Sequence, residues 1–494
     1  MTTCNAAGAE GELDTSPPYM VVEDDQGLRF SLPTRIDCIS TYILLEQGRW
    51  FEKELDFVRR YARPGMLALD IGANIGAYSL PLASLLGPDG RVVAYEPGAV
   101  NRAHLKRSAT LNGLNSLEIS AMALSNFCGP GHLEIAFSGE LNRLVAAQAG
   151  TESVEVSTLD AELERHRWAR VDFLKLDAEG QEEAILEGGH RFLATFSPLV
   201  MFEIKCSKTH NLRLIDAFRA AGFGIYRLLG DATMLAPFDA GELIDIFMVN
   251  LFAARPDQVN ALAARGLLAR KPAGAELSAT ERSTAIAAYC AQAFARAADI
   301  TPTDIETCPF GEAIVAHSAY RFLAALPVDR KLALLQRAYE DMLGYCSHTR
   351  SPAALSTLAR LAHDFGRQAT TLDALERLMG IDAKAIDQPF LPAASRFEQI
   401  GTASVDTWFI YAVEEVAEFS CGHSSLFERD MGRLAALCSH MHASDEAIRR
   451  LILASLLEGR SLNDLDGPLT RLASRDEKST DAWRNALRQL KTNY

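Results

Sequence analysis

The segment Met66–Leu80, MLALDIGANIGAYSL, decides how the chain is read. An apolar run of strand length ends in Asp70. Gly72, Asn74 and Gly76 follow at alternate positions, and a helical pattern begins near Ala77. Small residues in such a turn let a ligand approach the backbone closely. A helix starting there presents unpaired N–H groups and the positive end of its dipole.

The same alternation continues outward. Apolar runs at Met66–Ile71, Arg91–Tyr95, Leu117–Met122, Val171–Asp177, Leu199–Ile204, Gly224–Leu229 and Leu243–Phe252 predict strands. Amphipathic stretches at Ala77–Leu86, Ala99–Asn112, Gln181–Glu187 and Asn211–Ala221 predict helices between most of them. Strand–helix alternation implies right-handed crossovers and a mostly parallel sheet covered on both faces. The last two strands lack a clear joining helix and read as an antiparallel edge pair. The span between Leu124 and Arg170 is too long for one crossover; HLEIAF and SVEVSTLD within it predict an inserted hairpin.

Flanking zones differ in character. Residues 1–45 are acidic and irregular, either a tail or a short hairpin turning at Asp25-Gln26-Gly27. Residues 46–255 hold the α/β pattern. From 256 to 494 the strand signal disappears and helical spacing takes over. Leu332, Leu334, Leu335, Ala338, Tyr339 and Leu343 fall on one stripe, and Leu355–Leu378 reads as two helices joined at Gly366. Pro256 disfavours helix at Arg255, which places the boundary there and predicts an independent helical domain.

Composition narrows the function. The chain of 494 residues exceeds one ordinary domain. Its formal charge of −15 disfavours general nucleic-acid binding. No apolar run reaches the ~20 residues of a membrane span. Nine cysteines without paired spacing, and no leader-like start, suggest reduced thiols and a cytoplasmic location. Cys421–His423 and Cys438–His442 bring soft ligands close together, but a helix surface explains them more simply than zinc, and no metal is expected.

The glycine turn is spaced G-x-x-x-G, unlike the dinucleotide fingerprint, and Asp70 would repel a pyrophosphate. S-adenosylmethionine has no phosphate, and its ammonium needs an anionic partner. Glu96 ends the next strand, RVVAYEP, where a carboxylate accepts ribose hydroxyls. Ala123, Leu124 and Ser125 follow the third strand as an adenine wall. The candidate cofactor residues are therefore Asp70, Gly72, Asn74, Gly76, Tyr78, Glu96, Pro97, Ala123, Leu124 and Ser125.

DIGANIGAYSL, VVAYEP, ALSN, STLD, VDFLKLDAEGQEEAILEGG and PLVMFEIK occur in this order between about Tyr42 and Asn250. The pattern resembles the FkbM family of S-adenosylmethionine-dependent methyltransferases. The resemblance implies a class I, Rossmann-like sheet of seven strands, one of them antiparallel, here followed by an all-α C-terminal domain. It implies methyl transfer to a hydroxyl of a sugar, glycan or other small polar acceptor.

Ligands of open α/β sheets sit beyond the carboxyl ends of the strands. Asp177, Lys175 and Glu203 are the candidate catalytic residues there. Asp177 either takes the acceptor proton or caps the following helix. Lys175 either steers the acceptor, serves as a base with a lowered pKa, or pairs with Glu203. Glu179 and Asn142 are candidate substrate contacts, and Trp50 or Glu54 in WFEKEL is placed to fold back over the cofactor. The alternative is an interaction protein, whose helical half binds a protein partner or a second copy while the methyltransferase domain only holds cofactor. A nucleic-acid N-methyltransferase is disfavoured because DAEG follows the fourth strand, where those enzymes carry an Asn/Asp-Pro-Pro-aromatic turn.

Overall fold

The computed structural model of the chain describes residues 18–136, 142–147, 150–206, 209–238, 244–381, 386, 388–399, 404–421, 424–440, 442–475 and 477–490. The strands are β1 (Tyr19–Glu23), β2 (Arg29–Pro33), β3 (Leu67–Ile71), β4 (Arg91–Tyr95), β5 (Leu117–Ser120), β6 (Ala123–Leu124), β7 (Gly129–Glu134) and β8 (Arg143–Val145). They continue as β9 (Glu152–Ser157), β10 (Phe173–Leu176), β11 (Leu199–Glu203), β12 (Lys205–Cys206), β13 (Thr209–His210), β14 (Gly224–Leu228), β15 (Leu235–Pro237) and β16 (Asn250–Ala254).

The central sheet has the order β15-β14-β16-β11-β10-β3-β4-β5. Strands β5, β4, β3, β10 and β11 run parallel. The count is eight, not seven. Strand β16 is antiparallel to both β11 and β14, and β15 is antiparallel to β14, so two strands oppose the rest. The expected antiparallel pairing of the last two strands is present between β14 and β16, but the pair does not form the edge. Every residue of β16 is buried, and it lies inside the sheet, where both its edges find partners. The three-residue β15 takes the edge, with one further bridge from Leu235 to Leu268.

Helices α1 (Ile39–Gln47) and α2 (Glu54–Tyr61) precede the sheet; α3 (Ser79–Leu86) and α4 (Ala99–Leu111) cover one face. Helices α5 (Leu159–His166), α6 (Glu182–Glu187), α7 (His190–Thr195) and α8 (Arg213–Ala220) cover the other. The insert is more than a hairpin: β6, β9, β7 and β8 form a small sheet in that order. The acidic N-terminal segment does form a hairpin, β1 with β2, and Asp24 closes its turn by accepting from the N–H groups of Gln26 and Leu28.

After β16 the described residues form helices, including Gly311–Phe322, Val328–Cys346, Pro352–Phe365, Gln368–Met379, Val405–Cys421 and Asp445–Leu457. Gly366 ends Pro352–Phe365 in the left-handed conformation, φ 81°, as its position between two apolar stripes predicted. One member of the Val328–Cys346 stripe is misplaced: Leu343 is exposed, and Met342 is buried instead. None of the described helices is long and apolar enough to cross a membrane.

The helical half is not set apart from the sheet. One continuous cluster of buried residues runs from Met20 through Phe173 and Phe252 to Leu355 and Leu487. Polar contacts reinforce the junction. Arg227 Nη1 donates to the Phe365 carbonyl at 2.6 Å, Tyr42 shares a 2.9 Å hydrogen bond with Ser425, and Trp483 Nε1 donates to the Leu45 carbonyl at 2.8 Å. Gly230 meets the helix end so closely that a Cβ there would lie 1.5 Å from the His363 carbonyl oxygen.

Candidate active site

The parallel strands end around a cavity of about 250 Å³. The turn after β3 forms one wall. Gly72 has φ 79°, and a Cβ on it would sit 1.7 Å from the Asp177 carbonyl oxygen, so only glycine lets this turn close against the end of β10. Asn74 also adopts positive φ, 50°, and its N–H donates to Glu96 Oε2 at 2.9 Å. The Gly98 N–H donates to Glu96 Oε1 at 2.8 Å. Burial pushes Glu96 up to about 7 despite these two bonds.

Asp70 is fully buried. Its Oδ2 accepts from Ser79 Oγ at 2.5 Å, and its Oδ1 has no hydrogen-bond partner, nor has Asn74 Oδ1. Burial raises the Asp70 carboxyl; Lys175 and Ser79 act against that rise. Two orphaned oxygens in the glycine turn fit a ligand bearing hydrogen-bond donors, because buried polar atoms ordinarily find partners. Pro97, Ala123, Leu124 and Tyr78 line the same cavity. Gly76 and Ser125 do not. Gly76 is favoured by its backbone, φ 98°, which an L side chain adopts only under strain. Ser125 Oγ instead donates to Gln181 Oε1 at 3.1 Å, and it is Gln181 that faces the cavity.

On β10, Phe173, Lys175 and Asp177 share one face and Leu174 and Leu176 the other, as the two-residue period requires. Lys175 stands opposite Asp70 in the β3 register. Its Nζ donates to Asp177 Oδ2 at 2.8 Å and lies 3.9 Å from Asp70 Oδ1. The expected pairing with Glu203 is corrected: the register opposite Lys175 on β11 is Met201. A lowered pKa is corrected as well. Burial pulls the Lys175 ammonium down, but Asp177, Asp70 and Glu52 outweigh it and hold it above its ordinary value.

Glu203 faces Asp177. Burial first, then the Asp177 charge, raises Glu203 strongly, so it keeps its proton and donates to Asp177. Burial would also raise Asp177, but Lys175 and the Glu203 hydrogen bond hold it below the usual carboxylate range. The result is one ionised carboxylate, 29% exposed and lining the cavity, between two donors. Asp177, Glu182 and Glu203 bring ligand atoms within 4.8 Å of one another. Each is already engaged, however. Glu182 Oε1 accepts from the Ala178 and Gly180 N–H groups at 2.8 and 3.1 Å and so ties down the loop before α6, a helix that no side chain caps, Asp177 included.

Glu179 lines the cavity from the loop after β10, with φ 49°. Asn142 lines it too, but next to Glu96 and not Asp177. The Nδ2 of Asn142 and Oε1 of Glu96 both lie within 3 Å of the point where a Gly98 Cβ would be. Cys438 and His442 do not share a helix face, since Met431–Ser439 ends before His442, and Cys438 Sγ donates to the Ala447 carbonyl. His423 lies outside the described residues.

Three wall residues carried no distinct sequence signal. Glu52 is the most consequential. Its carboxylate accepts from Tyr78 OH at 2.7 Å and Trp50 Nε1 at 3.2 Å, and burial raises it. It comes from WFEKEL, the segment of Trp50 and Glu54. Trp50 does reach the cavity, whereas Glu54 does not. Gln181 was hidden inside KLDAEGQEEAIL. Phe427 comes from the helical half, far away in sequence.

The doubly wound sheet, with a cavity at the carboxyl ends of its parallel strands and a glycine turn on one wall, defines an α/β protein whose cavity lies where such sheets bind their ligands. Residues 70–225 match the family model of the methyltransferase FkbM domain. Over these residues the chain carries a methyltransferase domain of the FkbM type. Among solved structures it is similar to the methyltransferase FkbM from Methylobacillus flagellatus KT, at 16% identity and TM-score 0.26, over 38% of this chain and 43% of that one. It is also similar to an O-methyltransferase from Thermotoga maritima, at 14% identity and TM-score 0.26, over 48% and 77% of the two chains. A putative rRNA methylase from Clostridium thermocellum matches at 10% identity and TM-score 0.26, over 41% and 92%. The chain thus spans 43% of the Methylobacillus protein's length. The comparison with curated proteins finds no match.

Proposed function

We propose that the protein is an S-adenosylmethionine-dependent O-methyltransferase acting on a hydroxyl of a sugar, glycan or other small polar acceptor. The observation that carries this reading is the Asp177 carboxylate, which accepts from Lys175 Nζ at 2.8 Å and lines, with Glu203, the cavity that Asp70 and Glu96 also line.

Asp70 and Glu96, with the turn Gly72–Asn74, are the residues that would hold the cofactor's amino and ribose groups. The bound cofactor supplies an electrophilic methyl carbon on a sulfonium. The protein's part is to hold the acceptor oxygen in line with that carbon, about 3 Å away. With the cofactor bound, Asp177 would take the hydroxyl proton as the acceptor oxygen replaces sulfur on the methyl carbon, the carbon–sulfur bond breaking and the neutral thioether leaving. Lys175 steadies Asp177 before the transfer. The proton of Glu203 stays on the far side of the pair.

The test is incubation of the full chain with methyl-labelled S-adenosylmethionine and purified sugars and glycans. Label transferred to an acceptor hydroxyl supports the reading. Cofactor binding without turnover on any acceptor favours the interaction protein.

A further inference from the structure

Phe427 belongs to the helical half, and its side chain is 53% exposed. Of the large apolar side chains left exposed among the described residues, it alone lines the cavity of Asp177. A single exposed ring elsewhere on a surface needs no explanation. This one is held in place. Ser424 and Ser425, just before it, are fully buried. The Ser425 N–H donates to Glu46 Oε1 at 2.9 Å, and its hydroxyl bonds both that carboxylate and the Tyr42 hydroxyl. The Phe427 N–H donates to the Ser424 carbonyl at 3.1 Å and closes the turn. Glu46 is itself buried in α1, 3.7 Å from Arg450 Nε. Helix α1 thus fixes a turn of the helical half, and the turn presents its ring at the cavity.

Exposure divides the cavity into a floor and a rim. Asp70 and Glu96 are buried, whereas Asp177, Glu179, Trp50 and Phe51 are half-buried. The Trp50 and Phe51 rings lie 5.1 Å apart. The rim therefore offers apolar rings beside carboxyl groups, a pairing that suits a ligand with an apolar face and a polar edge. A pyranose has both: C–H groups on a face and several hydroxyls along the edge. A phenol has the face but few hydroxyls, and an acyclic polyol has hydroxyls but no face. We propose that Phe427 is a specificity-determining residue that stacks on the C–H face of a pyranose ring of the acceptor, whose edge hydroxyls reach Asp177 and Glu179. The assignment rests on the methyl-transfer reading above and narrows its acceptor to a ring-form sugar. The helical half thereby takes part in choosing the acceptor.

The experiment is saturation-transfer NMR on the full chain, with and without S-adenosylhomocysteine. The probes are the methyl pyranosides of glucose, galactose, mannose and rhamnose, with sorbitol as the acyclic polyol and catechol as the flat diol. Transfer to at least one pyranoside is expected, strongest on the C–H protons of one ring face. Phe427→Ala should weaken that pyranoside by about fivefold or more, and Phe427→Tyr should retain it. Thermal melts check folding, and Phe427→Leu carries the same test if the alanine variant is unstable. Calorimetry should find the affinity for S-adenosylhomocysteine unchanged in these variants. Equal pyranoside binding in wild type and Phe427→Ala, loss in Phe427→Tyr as well, or an equal loss of S-adenosylhomocysteine affinity overturns the stack. So does sorbitol or catechol bound ahead of every pyranoside, or no transfer to any pyranoside. If the wild type fails to bind S-adenosylhomocysteine, the methyl-transfer reading falls by itself, while the pyranosides still judge Phe427.

Discussion

The Nζ of Lys175 lies 2.8 Å from Oδ2 of Asp177, two residues along the same strand and on the same face. The ammonium also stands across from Asp70 and near Glu52, so one cation balances a ring of buried carboxyl groups. Removing it leaves those groups facing one another. Lys175→Met should cost about 3–5 kcal/mol of stability, the range for breaking a buried pair. Chemical denaturation of the full chain measures this. A loss under about 1 kcal/mol, the worth of a surface pair, would show that the pair is solvated.

Asp177→Asn should leave cofactor affinity nearly intact and lower turnover by roughly 10²–10⁴, because the proton then has no acceptor. Single-turnover assays with labelled cofactor separate the two effects. Near-normal turnover would reduce Asp177 to a structural role. Chelator is expected to leave the wild-type rate unchanged, since Lys175, Glu203 and backbone N–H groups already engage the three clustered carboxyl groups.

Asp70→Ala should weaken S-adenosylmethionine binding by about 1–3 kcal/mol, through loss of a charge-assisted hydrogen bond. Titration calorimetry measures it, and unchanged affinity in a folded variant would remove Asp70 from the cofactor site.

Glu96 titrates near 7 in the free protein, above its ordinary value. Ribose hydroxyls donate to the ionised carboxylate, so binding favours the form that predominates above that value. Affinity should be full above pH ~7 and fall as pH drops through it, by about tenfold between pH ~8 and pH ~6. Glu96→Gln should flatten this dependence. A slope that persists in the variant would place the titrating group elsewhere.

The shared core predicts that the two halves fold as one unit. A fragment ending at residue 255 loses the helical members of the continuous core and the Arg227–Phe365 bond. It should be insoluble or molten, while the full chain melts in one transition. Gly230→Ala should destabilise the full chain by about 1–3 kcal/mol, because its Cβ meets the His363 carbonyl. A soluble fragment with a cooperative melt would restore the boundary at Arg255 as a true division.

Local pattern alone located the strands that build the parallel sheet and the glycine turn after β3. Both depend on short-range rules: alternation of apolar residues, and steric freedom at Gly72. The strand-tip carboxyl groups Asp70, Glu96, Asp177 and Glu203 were readable because a parallel sheet brings such tips to one edge. What the sequence could not say was which neighbours meet across the fold. Lys175 reaches Asp177 and Asp70, and Glu203 instead shares a proton with Asp177, because register and burial decide the partner. Glu52 and Phe427 enter the same cavity from positions more than 370 residues apart. Phe57 and Tyr61 of α2 pack on Phe252 and Phe173, and the helical half joins the same continuous core from beyond them. Burial, register and long-range contact are properties of the packed chain, and periodicity along one segment carries no record of them.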